Sequence, residues 1–183
     1  MKILYTADPH CGHANIIRMC QRPFSCVDEM DAALIANWNG AVHKDDVVYI
    51  IGDFCFRNDK SPAWYLSQLN GHKILVRGNH DKWIEKNVAA ANMFEEITNL
   101  TNVYDPSFGG HHISICHYPL MTWPGKKESY MVFGHIHNDT SMDFWPYIKT
   151  HERLLNAGVD INNFTPVTLE QLIQNNKIFK ETH

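Results

Sequence analysis

The sequence of 183 residues lacks the features that would point to a membrane, a secreted or a repeat protein. No segment approaches the ~20 consecutive apolar residues that a transmembrane helix needs. The first residues lead directly into a strand-like pattern, without the apolar stretch and cleavage site of a signal peptide. Internal repeats and low-complexity stretches are also absent. These absences predict one soluble, cytoplasmic domain over residues 1–183, long enough to bury a substantial core.

Cysteine is scarce, and the basic residues are dispersed. The five cysteines form no Cys-x-x-Cys pair, and their odd number argues against a disulfide scaffold and for a reducing compartment. Three of the cysteines lie within two residues of the candidate metal ligands described below, namely Cys11, Cys55 and Cys116. We interpret these three as small buried filler rather than as oxidation-sensitive groups. The net charge is −4 and no block of Lys or Arg is present, so no surface for a nucleic-acid backbone is predicted.

Histidine, by contrast, is abundant, with 12 residues. Five short apolar runs, at residues 2–7, 46–51, 72–77, 112–116 and 130–133, each end in polar residues of the kind that bind metals. The clusters that follow these runs are Asp8-Pro9-His10, Gly52-Asp53, Gly78-Asn79-His80-Asp81, His117 and Gly134-His135-Ile136-His137. Because the strands of an open sheet present their functional residues at the carboxyl edge, we expect these clusters to meet. Such a set predicts a pair of divalent metal ions.

A dinuclear site needs one ligand that bridges both ions, and the two oxygens of a carboxylate do this well. Asp53, which follows a glycine in a strand-to-loop turn, is the predicted bridge. Asp8 and His10 are separated by one residue, so in an extended segment both would point to the same side. His135 and His137 have the same spacing.

Asn79 and His117 complete the set of candidate ligands. Asn79 offers a neutral carbonyl oxygen, and His117 offers a further imidazole. The set contains nitrogen and oxygen donors and no cysteine, which suits manganese, iron, zinc or nickel. The predicted cofactor is therefore two divalent metal ions, with manganese favoured and the other three metals as alternatives.

Helix signals alternate with strand signals along the chain, which indicates an α/β fold. Helices are predicted at residues 15–21 and 28–39, the second from its apolar stripe. Ser61 followed by Pro62 is a good helix start. The Thr168-x-x-Gln171 pattern resembles a capping box and predicts a helix near the end of the chain.

The second half of the chain is richer in strand signals. Residues 97–104 and 112–117 are predicted strands on either side of a hairpin-like turn. Residues 154–159 are a further predicted strand. Residues 138–150 are predicted to form a long loop, whose aromatic side chains we interpret as packing groups rather than as a substrate platform.

The order and spacing of the five clusters are similar to those of the calcineurin-like metallophosphoesterase superfamily. That superfamily carries D-x-H, G-D, G-N-H-[D/E], a lone His and G-H-x-H in this order, and all these blocks occur between residues 8 and 137. Residues 8–24 also resemble small bacterial and phage-encoded phosphoesterases. The resemblance implies a four-layer αββα sandwich, in which two central mixed sheets are flanked by helices.

The resemblance also assigns metal ligands, residue by residue. One ion would be bound by Asp8, His10, Asp53 and His137. The other ion would be bound by Asp53, Asn79, His117 and His135. His80 would not bind metal but would stand beside the phosphate, as an electrostatic partner or as the acid for the leaving group, with Asp81 orienting it.

Two further residues are candidates for binding the substrate phosphate. His13 follows His10 at the start of a predicted helix, where simple exposure to water is the alternative role. Arg57 follows Asp53 at the offset where the superfamily's serine/threonine protein phosphatases carry a phosphate-contacting arginine. Those enzymes have Gly-Asp-x-x-Asp-Arg, whereas this sequence has Phe56 before the arginine. The departure and the short chain argue against a protein phosphatase, and a solvated Arg57 remains the alternative.

The predicted function is hydrolysis of phosphate esters by a hydroxide generated between the two metals. We favour phosphodiesters, including nucleotide-derived ones, because no cap insertion is apparent and an open site suits large leaving groups. A phosphomonoesterase of the same fold is one alternative, and a non-catalytic protein-binding scaffold is another. The expected partner is a small phosphate ester, no membrane is expected, and the general frequency of dimers favours a homodimer.

Overall fold

The computed structural model describes residues 1–84 and 86–183, whose strands form two four-stranded sheets. The first sheet has the order β1-β2-β3-β4, with strands Ile3–Thr6, Val47–Ile51, His72–Val76 and Glu96–Thr98. The second sheet has the order β5-β6-β7-β8, with strands Leu100–Asp105, His111–Cys116, Tyr130–Phe133 and Leu154–Asn156. Among these strands, β5 and β6 pair antiparallel and all the other neighbours pair parallel.

Six α-helices accompany the sheets in the described part of the chain. Their bounds are Ala14–Met19 (α1), Val27–Ala41 (α2), Pro62–Leu66 (α3), Val88–Ala91 (α4), Trp145–Thr150 (α5) and Leu169–Thr182 (α6). The predicted helix starts are confirmed, because Ser61 caps α3 and the capping box of Thr168 and Gln171 begins α6. Within the described residues, no helix combines the length and the apolar character that a membrane span needs.

Alternation of side chains along the strands produces three apolar layers. Leu4 and Ile50 belong to a cluster with residues of α2 and α3 on the outer face of the first sheet. Tyr5 and Ile51, one position further along, belong to the cluster between the two sheets. Phe133 packs with residues of α5 on the outer face of the second sheet. The order helix, sheet, sheet, helix confirms the predicted four-layer sandwich.

The predicted strand at residues 97–104 is two strands that belong to different sheets. β4 pairs with β3 in the first sheet, and β5 pairs with β6 in the second, with Asn99 between them. Both segments have strand-like sequences, so local propensity gives no sign that the hydrogen-bonding partner changes at Asn99. The hairpin predicted between β5 and β6 is confirmed.

Two further expectations in the second half were wrong in detail. The segment 138–150 is not a loop throughout, because its last six residues form α5. Trp145 and Ile148 of this helix are buried in the outer cluster of the second sheet, which confirms the packing role expected for Trp145. The strand predicted at 154–159 ends at Asn156, and Val159–Ile161 form a short 3-10 helix.

β1 forms a seam between the two sheets and the last third of the chain. The N–H of Tyr5 donates to the carbonyl of Val167 at 2.8 Å, and the N–H of Val167 donates back at 3.0 Å. Two residues after Tyr5, the N–H of Ala7 donates to the carbonyl of Ala157 at 2.8 Å. The bridge between Tyr5 and Val167 is antiparallel. Mixed pairing therefore occurs within the second sheet and, through this bridge, at the β1 edge of the first.

Candidate metal centre

The ends of five strands bring all seven predicted metal ligands to one edge of the two sheets. The strands and the ligands that follow them are β1 with Asp8 and His10, β2 with Asp53, β3 with Asn79, β6 with His117, and β7 with His135 and His137. Asp53 Oδ2 lies 3.6 Å from His10 Nε2 and 3.7 Å from His117 Nε2. The carboxyl edges of both sheets thus meet at Asp53.

The ligand atoms form two close groups that have Asp8 in common. Asp8, His10 and His137 each offer one ligand atom within 4.8 Å of the others, and Asp8, Asp53 and His117 form a second such group. Asn79 extends the second group, because its Oδ1 lies 3.1 Å from His117 Nε2. The same oxygen lies 3.1 Å from Nδ1 of His135.

Most of these ligands have an unusual backbone conformation. The φ angles are 56° at Asp8, 50° at His10, 52° at Asp53, 72° at His135 and 51° at His137. A non-glycine residue with positive φ is uncommon and persists only where its surroundings hold it, often at functional sites. Asp8 and His10 therefore do not share a side through the alternation of an extended strand. Instead, Asp8 and His10 both have a left-handed conformation, with Pro9 between them, and this turns both side chains toward the sheet edge.

Two glycines allow the ligand turns to approach each other closely. Gly52 has φ of 82°, and a Cβ at this position would meet Nδ1 of His117 and lie 2.7 Å from Cα of Gly78. A Cβ on Gly78 would meet Oδ1 of Asp53 and lie 2.6 Å from the backbone nitrogen of Asp53. Any larger residue would therefore separate the turn that carries Asp53 from the turn that carries Asn79.

Buried polar atoms without hydrogen bonds mark the centre of the cluster. In the described part of the chain, Asp8 Oδ1 and both ring nitrogens of His10 are buried and have no hydrogen-bond partner. Burial raises the pKa of the Asp8 carboxyl from 3.8 to about 7. Burial, followed by the neighbouring His137, lowers the pKa of His10. An unpartnered buried polar atom is costly, and coordination to a divalent cation would remove that cost. The residues present therefore fit a metal centre.

Asp81 has a different position from the one predicted for it. Its buried carboxylate accepts hydrogen bonds from the N–H groups of Asp53, Phe54 and Gly78, at 2.8, 3.0 and 2.7 Å. These N–H groups belong to the turns that carry Asp53 and Asn79. The carboxylate thus holds two ligand turns together, and this corrects the expectation that it orients the His80 ring.

His80 lies beside the ligands but outside both close groups of ligand atoms. Its backbone N–H donates to Asp53 Oδ1 at 2.8 Å, which anchors the residue to the centre. Its ring centroid is 5.6 Å from that of His10 and 6.0 Å from that of Phe56. The side chain is exposed, so an imidazole stands at the open edge of the centre.

The structure brings His13 to the centre and Arg57 to its rim. The ring of His13 stacks on Phe56, with 4.1 Å between centroids and 12° between planes. It also lies 5.3 Å from the ring of His10. Burial, followed by His80, lowers the pKa of His13. Phe56, which replaces the second aspartate of the protein phosphatases, therefore serves as a stacking surface for His13.

Two open grooves adjoin the centre at different ligands. The first has a volume of about 320 Å³ and is lined by Phe56, Arg57, Asn79, His80, Lys82, Trp83 and Lys86. The second, of about 410 Å³, is lined by residues of α1 and the turn after it and by residues 135–142. The first groove is cationic, whereas the described lining of the second contains neither Lys nor Arg.

Sequence reasoning missed Arg22 and Asp160, which lie directly behind the ligands. The buried Arg22 side chain donates to the carboxylate of Asp160 at 2.8 and 3.1 Å. It also donates to the carbonyl oxygens of Asp8 and Pro9, both at 2.8 Å. Asp160 in turn lies 2.9 Å from Nδ1 of His137. The one available signal was an acidic residue directly after a strand-like run, the position that the predicted ligands share.

The cysteines are all unpaired. Cys11 and Cys55 are buried near the centre, and burial raises the pKa of both thiols. A raised thiol pKa disfavours the reactive thiolate, which supports the interpretation of these two residues as filler. Cys20 was not singled out from the sequence, yet its sulfur lies within 4.8 Å of ligand atoms of His137 and Asp160.

A two-sheet sandwich with clustered Asp and His side chains at the carboxyl edges has the architecture of a metal-dependent hydrolase. The sequence matches the family model of the calcineurin-like phosphoesterases over residues 1–177, and the chain therefore belongs to this family. Membership supports metal-dependent phosphoesterase activity, and the Asp and His clusters provide the candidate metal ligands.

Relatives of the chain occur in an archaeon and in bacteriophages. An uncharacterized protein of Methanocaldococcus jannaschii is 33% identical over 175 residues, covering 94% of this chain and 90% of that protein. The gene 66 protein of Mycobacterium phage L5 is 26% identical over 181 residues, with 85% of each chain covered. The crystal structure of a protein of unknown function from Aquifex aeolicus matches with a TM-score of 0.71 and 24% identity, covering 94% of this chain and 97% of that chain, and supports the fold.

Proposed function

We propose that the chain is a dinuclear metal-dependent phosphodiesterase, with manganese as the favoured metal. One ion is assigned to Asp8, His10, Asp53 and His137. The other is assigned to Asp53, Asn79, His117 and His135. A pair of bound cations lowers the pKa of a water held between them and neutralises charge on the phosphate. Support for two ions comes from two ligand-atom groups that share Asp8, one with His10 and His137 and one with Asp53 and His117, and from the unpartnered buried atoms of Asp8 and His10.

His80 is the proposed acid for the leaving oxygen. An imidazole is the side chain best suited to proton transfer near neutral pH. The backbone hydrogen bond from His80 to Asp53 Oδ1 keeps the residue next to the centre while its ring stays outside the ligand groups. His13 and Arg57 are proposed to contact the substrate phosphate, because His13 borders His10 and Arg57 lines the same groove as His80.

The two grooves carry the preference for a phosphodiester. A diester has two organic substituents on phosphorus. They extend from the metal centre in different directions, and each needs its own opening. The groove at Asn79 and His80 and the groove at His135 and His137 provide two such openings. A phosphomonoester would need only one of them.

The cationic groove favours a nucleotide-like substituent. Arg57, Lys82 and Lys86 give this groove positive charge, which would attract further anionic groups of a substrate. Phe56 and Trp83 supply aromatic faces on which a planar base could stack. A hydrogen bond of 3.3 Å from Trp83 Nε1 to the carbonyl of Cys55 fixes the indole in place.

Two alternatives define the outcomes of the test. A phosphomonoesterase would use the same ligands and His80 but only one groove. A non-catalytic scaffold would not need the complete ligand set and His80 that this chain retains. The proposed partner is a small phosphate ester, and a homodimer remains the proposed assembly.

Hydrolysis of a chromogenic phosphodiester and of its monoester counterpart tests the proposal. Metal-stripped protein should be inactive, and added manganese should restore diester turnover. His80→Ala should lower kcat by about 10²- to 10⁴-fold, the usual contribution of a general acid, with both ions still bound. His112→Ala, an exposed histidine at the far end of β6, is the matched control and should match the wild type.

Each other outcome selects one alternative. Turnover of the monoester alone would replace the diester with a monoester as substrate class. Two bound manganese ions without turnover of either ester would favour the scaffold. Equal activity of His80→Ala and the wild type would remove His80 from the mechanism.

A further inference from the structure

Arg22 is a fully buried cation whose hydrogen bonds connect two distant parts of the chain. Its side chain has no exposed surface, and that of Asp160 is 2% exposed. The guanidinium contacts both carboxylate oxygens of Asp160, the bidentate geometry in which an Arg–carboxylate pair is strongest. Its Nη2, which also contacts Asp160, donates to the carbonyl oxygen of Asp8, and its Nη1 donates to the carbonyl oxygen of Pro9. The loop between β1 and α1 is thereby tied to the 3-10 turn after β8.

Asp160 also contacts a predicted metal ligand, His137. Its Oδ2 lies 2.9 Å from Nδ1 of His137. A carboxylate in this position accepts the proton of Nδ1, which leaves the other ring nitrogen free to bind a metal. His137 belongs to the ligand-atom group with Asp8 and His10, so Asp160 faces the outer side of that group.

An isolated buried ion pair is weak grounds for a stabilising role, because desolvation of both charges offsets much of their attraction. Here the contacts beyond the pair go to the loops that carry three ligands of one ion, namely Asp8, His10 and His137. Among the described residues, the side-chain hydrogen bonds of Asn79, His117 and His135 involve neither Arg22 nor Asp160. The hydrogen bonds of the pair to the centre therefore go to one half of it, and the other half is linked to that half through the N–H of His135, which donates to Asp8 Oδ2 at 2.7 Å.

We propose that Asp160 and Arg22 are positioning residues for the ion assigned to Asp8, His10, Asp53 and His137. This inference rests on the proposed dinuclear centre. Asp160 fixes the tautomer and the ring orientation of His137. Arg22 balances the charge of Asp160 and fixes the Asp8-Pro9 backbone, so that Asp8 and His137 keep one geometry relative to each other. An outer partner of a metal-binding histidine typically contributes about 10- to 100-fold to metal affinity.

Manganese binding to the metal-stripped full chain tests this assignment. Calorimetry gives the number and affinity of the ions, and EPR distinguishes an isolated ion from an exchange-coupled pair. For Asp160→Asn we expect one ion to bind about 10- to 100-fold more weakly and the other to bind as in the wild type. Arg22→Lys keeps the charge but loses the bidentate contact, and should show a smaller loss at the same ion.

Asp105→Asn is the matched control. Asp105 is also fully buried and accepts a hydrogen bond from the hydroxyl of Tyr5 at 2.8 Å, but it lies at the end of β5, away from the ligands. The Asp105→Asn variant should bind both ions with wild-type affinity. If Asp160→Asn does not fold, Asp160→Glu, which keeps the charge and moves the carboxylate, replaces it, with the same one-ion loss expected.

The outcomes separate this inference from the proposed function. The positioning role alone would be overturned if the wild type binds two ions and the Asp160→Asn variant binds both of them with wild-type affinity. An equal loss of both ions in Asp160→Asn would also overturn it, because the effect would not be confined to one half. Wild-type protein that binds fewer than two ions would overturn the dinuclear centre itself, and the positioning role with it.

Discussion

The two halves of the metal centre are supported in different ways. The half formed by Asp8, His10 and His137 lies deep, with Asp8 and His10 at 0% and 3% exposure, and rests on the buried pair of Arg22 and Asp160. In the other half, His117 is also buried, at 0% exposure, but Asn79 is exposed and its Oδ1 lies close to His117 and His135. The ring of His135 lies 4.6 Å from that of Tyr118, which is itself 46% exposed.

This difference separates a preformed site from an adaptable one. In the deep half, Asp160 and Arg22 hold the His137 ring and the Asp8-Pro9 backbone through buried hydrogen bonds before any ion arrives, so binding requires little reorganisation of these groups. In the exposed half, Asn79 is open to solvent, so an ion bound there is less shielded from water. We therefore expect tighter binding in the deep half and faster exchange in the exposed half, which also faces the cationic groove.

The largest effect is expected from removing the residue that both halves share. Asp53→Asn should weaken both ions and lower kcat/KM for the diester by on the order of 10³-fold, because the two cations that would neutralise charge on the phosphate lose their shared ligand. Kinetics and manganese stoichiometry measure this, with circular dichroism as the control for folding. Two tightly bound ions in Asp53→Asn would show that Asp53 is not the bridge.

A smaller and more selective effect is expected when one half is removed at a time. His137→Ala should abolish the tight ion and leave a weakly bound one, whereas His135→Ala should abolish the weak ion and leave the tight one. Each loss should exceed the about 10- to 100-fold effect of removing an outer partner. Calorimetric titration of both variants gives the two affinities. The same residual affinity in both variants would remove the distinction between the halves.

Much of this centre follows from the sequence, because each predicted ligand lies directly after a strand-like run. Parallel strands deliver such residues to a common edge whatever the details of the loops. The sheet order was not accessible in the same way, since β4 and β5 are separated only by Asn99 and differ in partner rather than in local pattern.

The outer partners of the ligands were the least accessible to sequence reasoning. Arg22 and Asp160 are 138 residues apart, and a pair at that distance leaves no periodic signal. Asp81 stands next to His80 in the sequence, which suggested contact, but the turn directs its carboxylate to backbone N–H groups. Positive φ at Asp8 and His10 is likewise imposed by tertiary contacts, because neither residue type requires it.

The smallest effect is expected at the rim of the exposed half. Arg57→Ala should raise KM for a nucleotide-like diester by about two- to five-fold, the range expected for one solvent-exposed charge, and leave kcat nearly unchanged. The effect should decrease as ionic strength rises. Steady-state kinetics gives KM for this diester and for a diester whose substituents are uncharged. For the uncharged diester, Arg57→Ala and the wild type should have the same KM. An equal rise in KM for both substrates would place Arg57 at the scissile phosphate instead.

The seam between β1 and the last third of the chain determines when this centre can exist during synthesis. All four strands of the first sheet precede Asn99, so that sheet can assemble while the rest of the chain is still being translated. The strand β1 and the loop after it, however, gain their partners at Ala157, Asp160 and Val167 only after those residues have been synthesised. A nascent chain shorter than residue 160 therefore lacks the support of the deep half, and metal loading there reports that residues 157–167 have joined β1.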